Sequence, residues 1–203
     1  MKTSDLVKCE DFPCLDTRRE SYLVPDVDLD LARVSILLIS EAAAENPADG
    51  YYAGPEALFA RTTVLAFQEA GAQVASIQDI LDLGVSLTTA VKCGKTGYGL
   101  AADTILTCSH LLEKELDLFP NVKVYLLMGD VAIKAVNLIA KRNGGPRAIP
   151  AGSTYKIRGG EFTFRGRRAL PSYVQAGPAF FVEKSKRRMI AEDIALALRL
   201  AGK

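Results

Sequence analysis

Apolar and polar positions along the chain sort into short unbroken apolar runs and longer stretches of helical periodicity, and the two alternate. The run RVSILLIS at 33–40 is short and rich in aliphatic residues, as expected of a strand buried on both faces of a parallel sheet. It leads into a small-residue loop, EAAAENPADGYYAG. From 55 to 70, Leu58, Phe59, Val64, Leu65 and Phe67 recur at near-helical spacing, with Pro55 suited to a first helical position and Gly71 to a helix stop. The pattern predicts further strands at 73–77 (QVASI), 85–91 (VSLTTAV) and 122–128 (VKVYLLM), and helices over 101–118 and 129–142. A hairpin is predicted in KIRGGEFTFRG, whose Gly pair and alternating Phe162 and Phe164 fit two short strands. A last strand, RRALPSY, and a helix over 186–200 complete the reading.

Strands alternating with helices argue for βαβ units, hence an α/β fold whose parallel sheet is covered on both faces. In such sheets the ligand crevice lies beyond the C-terminal strand ends. That singles out three loops, 41–54, 90–98 and 174–185.

Length fits one compact domain spanning 1–203. The 25 Lys and Arg nearly balance the 24 acidic residues, so only a local basic surface can serve a polyanionic partner. Neither a signal-peptide core nor an Arg-rich, acid-poor transit composition is present in the first twenty residues. No stretch reaches the roughly 18 unbroken apolar residues of a membrane span. These features lead us to expect a cytoplasmic monomer with no membrane role.

The four cysteines form C-x4-C at Cys9 and Cys14 and C-x14-C at Cys93 and Cys108. In a reducing compartment they are free thiols or metal ligands rather than disulfides. Four thiolates suit structural zinc or an iron-sulfur cluster, and the spacing alone does not choose. Buried thiols with no ligand are the plain alternative.

Several segments in order resemble the four-cysteine, iron-sulfur branch of the uracil-DNA glycosylase superfamily. They are CLDTRR with Cys14, Thr17 and Arg18; LTTAVKC with Lys92 and Cys93; then Cys108, LLMGDVAIKAV, STYKIRGGEF and LPSY. The first cysteine pair has four intervening residues where that family usually has two. The resemblance implies a three-layer αβα fold around a mainly parallel four-stranded sheet. It also implies a [4Fe-4S] cluster on Cys9, Cys14, Cys93 and Cys108, with zinc as the alternative. DNA, single- or double-stranded, is the implied partner, and hydrolysis of an N-glycosidic bond in base-excision repair the implied activity.

Carried over residue by residue, the family's first acid falls on Glu41, with Glu45 or Asp49 the better carboxylate for orienting water or stabilising a sugar cation. The stacking aromatic falls on Tyr52, and the Asn that reads the base edge on Thr89, which has a hydroxyl in place of an amide. The His expected after Pro171-Ser172-Tyr173 is replaced, leaving Gln175 as the nearby hydrogen-bond donor. The chain's single histidine, His110, sits within a predicted helix and reads as structural. Lys184, Lys186, Arg187 and Arg188 cluster at the start of the last helix, where phosphate can be met, and Arg165, Arg167 and Arg168 extend the strip. Phe180 and Phe181 before them suit a wedge into an opened base stack. The bland counterparts are a solvated loop, a solvated helix end and core aromatics. Two other functions remain open: a catalytically inactive iron-sulfur module binding nucleic acid or nucleotide, and a zinc-stabilised hydrolase of small nucleosides.

Overall fold

A computed structural model of the chain describes residues 2–203. Its sheet has six strands: β1 (Thr17–Arg18), β2 (Ile36–Ala43), β3 (Val85–Lys95), β4 (Val124–Met128), β5 (Phe162–Phe164) and β6 (Arg167–Ser172). The spatial order is β1-β3-β2-β4-β6-β5. Its middle four strands are mutually parallel, while the short edge strands β1 and β5 pair antiparallel. The expected parallel core is therefore present, flanked by two more strands.

Alternation along the strands explains the layers. In β2, Ile36 and Leu38 join one buried cluster while Leu37 and Ile39 join the other; in β4, Val124, Leu126 and Met128 alternate with Tyr125 and Leu127. Strands buried on both faces need helices on both. Helices α1 (Leu58–Glu69) and α2 (Ile77–Asp82) and the last helix cover one face; α3 (Ala102–Leu116) and α4 (Asp130–Arg142) cover the other. A short α5 (Thr154–Ile157) precedes β5, and α6 (Ala179–Val182) leads into the long α7 (Lys184–Ala201).

Two local expectations are corrected. Residues 73–77 form no strand, because Ser76 and Asp79 make a capping box that opens α2: Asp79 N–H donates to Ser76 Oγ at 3.2 Å and Ser76 N–H to Asp79 Oδ2 at 2.9 Å. The hairpin also lies further on than its glycine pair suggested. It joins β5 to β6 through Arg165 and Gly166, both at positive φ (52° and 70°), the conformation of a tight hairpin turn. The Lys156–Ile157 end of the expected first strand is helical instead.

Chain order places the switch in winding direction between β2 and β4. From β2 the chain crosses to β3 on one side, and from β3 it crosses back to β4 on the other. Crevices in open sheets form at this point.

Candidate functional site

A cavity of about 730 Å³ opens beyond the C-terminal strand ends. Ser40, Glu41 and Glu45 at the end of β2 line it, Lys95 to Tyr98 after β3 form one wall, and Val174 with residues 176–179 after β6 form another, with Phe59 of α1 adding a ring. All three loops singled out by the sequence contribute. Two close approaches shape the site, each at a glycine. A Cβ on Gly129, at φ +101°, would stand 2.6 Å from Glu41 Oε1 and 2.5 Å from Val174; one on Gly94 would stand 2.6 Å from the Ala44 carbonyl. Their absence lets the ends of β2, β3 and β6 and the start of α4 converge.

Glu41 points to the start of α4, where Oε1 accepts from Val131 N–H at 3.4 Å. Glu45 is exposed at the rim and pairs with Arg18 at 2.9 Å. Asp49, in the 3-10 turn Pro47–Asp49, is not among the lining residues.

Behind the cavity wall lies a buried polar network. Gln175 is fully buried; its Oε1 accepts from Ser40 Oγ at 3.3 Å, and its Nε2 donates to Tyr51 Oη at 2.9 Å and to Thr63 Oγ1 at 3.4 Å. Ser40 Oγ and Tyr51 Oη are also hydrogen-bonded. Burial pushes the Tyr51 phenol up to about 12, opposed by its bonds to Ser40, Gln175 and Thr63. Both ends of the Gln175 amide are thus engaged by buried side chains.

Tyr52 and Thr89, expected from the resemblance to line a base pocket, do not line this cavity. The Tyr52 hydroxyl donates to the Leu87 carbonyl at 2.8 Å, and burial raises its pKa. Its ring borders a separate cavity of about 570 Å³ between α1 and α2. Thr89 is buried in β3 beside Ser40, and its carbonyl accepts from Lys92 Nζ at 2.6 Å. The aromatics that do line it are Phe59, one of the residues at near-helical spacing in 55–70, and Tyr98. Nothing in that periodicity separates a ring facing a cavity from one facing a core.

A third polar group lies between β3 and α3. Lys92 and Glu115 are both buried and form a close ion pair, and Thr88 Oγ1 donates to Glu115 Oε2 at 2.9 Å. Among the described residues, Glu115 Oε1 has no partner.

Lys92 also borders the cysteines. Cys9, Cys14, Cys93 and Cys108 line one enclosed space of about 10 Å³ with Phe12, Thr17 and Tyr22. Tyr22 ties the N-terminal segment there: Cys9 N–H donates to Tyr22 Oη at 3.0 Å, and that hydroxyl donates to the Val7 carbonyl at 3.3 Å. Burial pushes the Cys93 thiol up to about 12, and charge on the other three cysteines would push it the same way. Burial likewise raises Cys108 and Cys14. Four thiols around one space are the donor chemistry of a soft metal centre. Among the described residues, no group of three His, Cys, Asp or Glu side chains is placed to hold a single metal ion.

The basic strip at the start of α7 is largely neutralised. Lys186 pairs with Glu183 at 2.6 Å, Arg188 with Glu192 at 3.1 Å, and Arg187 with Glu69 while lying 4.9 Å over the Phe180 ring; Lys184 is exposed. Arg165 is held by Asp117 at 2.7 Å and Arg168 meets Glu161 at 3.4 Å. Phe180 is buried and unavailable as a wedge, a correction set by its packing beneath α7; Phe181 is exposed. His110 is exposed on α3. No helix among the described residues is long and apolar enough to cross a membrane.

No protein-family model matches the chain. Among curated proteins it is similar to the type-5 uracil-DNA glycosylase of Thermus thermophilus, at 29% identity over 124 residues, which is 61% of this chain and 54% of that relative. The chain spans about half the length of the curated relative it matches. The parallel αβα architecture is consistent with this similarity to a uracil-DNA glycosylase.

Proposed function

We propose that the chain binds DNA and excises a deaminated or damaged base by hydrolysing its N-glycosidic bond. The observation that carries this reading is the cavity at the winding switch, where Glu41 and Glu45 line one space with Phe59. A base turned out of its stack needs an enclosed space and a π face, and its departure needs charge stabilisation already oriented. As the C1′–N bond breaks, its electron pair leaves with the base and positive charge develops on the sugar. Glu45 is the residue to stabilise that charge and take the proton of the attacking water, and Glu41, fixed at the start of α4, holds the cavity wall. The similarity to a uracil-DNA glycosylase supports the same class of substrate.

In this proposal Cys9, Cys14, Cys93 and Cys108 hold a [4Fe-4S] cluster, with zinc as the alternative. Bound there, the group would supply structure, joining the N-terminal segment to β3 and α3.

A second reading, a nucleic-acid- or nucleotide-binding module without turnover, is favoured by Gln175, whose amide is spent inside the protein. One experiment separates the two: single-turnover assays on duplexes and single strands containing uracil, hypoxanthine or xanthine. Abasic product formed by wild-type protein and lost in Glu45→Gln supports the enzyme. Tight binding with no product from any substrate supports the module, and neither binding nor product removes both. Iron and sulfide analysis of anaerobically purified protein tests the cluster separately.

A further inference from the structure

One edge of the cavity carries an arrangement that base excision does not use. Strand β1 and the end of β3 form a strip through the pairing of Thr17 with Lys95, and Thr96 N–H donates to the Asp16 carbonyl at 3.0 Å. Two bulky side chains on this strip, Leu15 and Tyr98, stand fully exposed. Tyr98 belongs to the cavity's lining, and its neighbours Gly97 and Gly99 have nothing near them that even an added side chain would meet.

Two cations belong to the same strip. Lys95 donates to the Tyr98 carbonyl at 3.2 Å, and among the described residues it has no carboxylate partner. The carboxylate partner of Arg18 among the described residues is Glu45, with both side chains about half exposed (52% and 58%). Such a pair is weak enough to exchange for a phosphate. A single exposed apolar residue needs no explanation. A free ring, an exposed apolar side chain and two cations on one hydrogen-bonded strip beside a cavity have the composition with which proteins hold unpaired nucleotides: π faces for bases and charges for the backbone.

We infer that Tyr98 is the stacking platform for an unpaired base next to the nucleotide held in the cavity, with Lys95 and Arg18 meeting its phosphates. This rests on the nucleic-acid reading proposed above. The ring packs against nothing that stacking would displace, and the loop is open enough for substitutions there to leave the fold intact.

The chain has no tryptophan, so Tyr98→Trp introduces a single reporter. The test is titration of wild type, Tyr98→Ala, Tyr98→Phe and Tyr98→Trp with a short oligothymidylate, repeated at several salt concentrations with Lys95→Gln. Expected are binding by wild type and Tyr98→Phe, a loss of about tenfold in Tyr98→Ala, and quenching of the indole emission of the Tyr98→Trp variant on saturation. The salt slope of Lys95→Gln should be shallower by about one. Wild-type binding with Tyr98→Ala unchanged, or with the indole emission of Tyr98→Trp unmoved at saturation, overturns the platform and leaves the cavity's function standing. Lack of oligothymidylate binding by wild type overturns the platform, and lack of binding to the damaged-base duplexes and single strands as well overturns the nucleic-acid reading.

Discussion

Gln175 Nε2 and Tyr51 Oη lie 2.9 Å apart, fully buried, and join the segment after β6 to the loop after β2. Removing the amide in Gln175→Ala leaves Ser40, Tyr51 and Thr63 with fewer partners, at a cost of about 1–3 kcal/mol. A fall in melting temperature of roughly 2–4 °C per kcal/mol is expected for a chain of this size. Thermal denaturation checks it; a variant as stable as wild type would show the network to be dispensable.

Burial of the Tyr51 phenol makes the protein sensitive to alkali. Tyr51 ionises at about 12 when folded against an ordinary value of 10. Its folded pKa is the higher one, so its contribution is fully present below pH 10 and is lost as pH rises through about 12. The interval corresponds to about 2–3 kcal/mol. Denaturant midpoints measured across this window should fall with pH in wild type and fall less in Tyr51→Phe. Equal slopes in the two proteins would contradict the assignment.

Lys92 and Glu115 give a sharper contrast. Either partner left alone is an uncompensated buried charge, so Lys92→Met should cost about 3–5 kcal/mol. The double variant Lys92→Met with Glu115→Leu should recover most of it. Urea denaturation of both variants is the measurement, and a double variant no better than the single would mean that the pair's geometry, not its charge balance, matters.

Two neighbouring phenylalanines should separate cleanly. Phe180→Ala empties a buried site and should lose about 3–5 kcal/mol, whereas Phe181→Ala should stay within about 0.5 kcal/mol of wild type. If nucleic acid uses this segment, only Phe181→Ala weakens oligonucleotide binding without unfolding the chain.

On the catalytic side, Glu45→Gln should slow base release by about 100-fold or more if Glu45 handles the proton of the attacking water. Asp49→Asn should change it little, because Asp49 lies outside the cavity lining. Single-turnover rates rank the two, and the reverse order would move the carboxylate role to Asp49.

The parallel strands and three site loops were legible in the sequence because unbroken apolar runs such as 36–39 leave few alternatives to a two-faced burial. The loops followed from the rule for open sheets. What escaped was decided by side-chain direction. Tyr51 and Tyr52 are adjacent, yet one hydroxyl enters the Ser40–Gln175 network and the other reaches Leu87. Phe59 shares its spacing with core residues and still reaches the cavity. Arg187 and Lys186 read as a basic patch until Glu69, 118 residues away in sequence, is found beside one of them. The capping box at Ser76 and Asp79 was readable, and the short run QVASI obscured it by reading as a strand.

The N-terminus of α3 has no capping side chain of its own. Asp16 supplies one from 88 residues upstream, with its carboxylate accepting from Thr104 Oγ1 at 2.5 Å and from Ala101 N–H at 2.6 Å. A contact this remote in sequence closes late, since the entropy of a long loop must be met before it forms. During synthesis the first twenty residues, two cysteines among them, leave the ribosome well before the segment that receives them. Asp16 and the two cysteines beside it in sequence therefore wait in water until α3 has been made, and the end of that helix is completed only when they return to it.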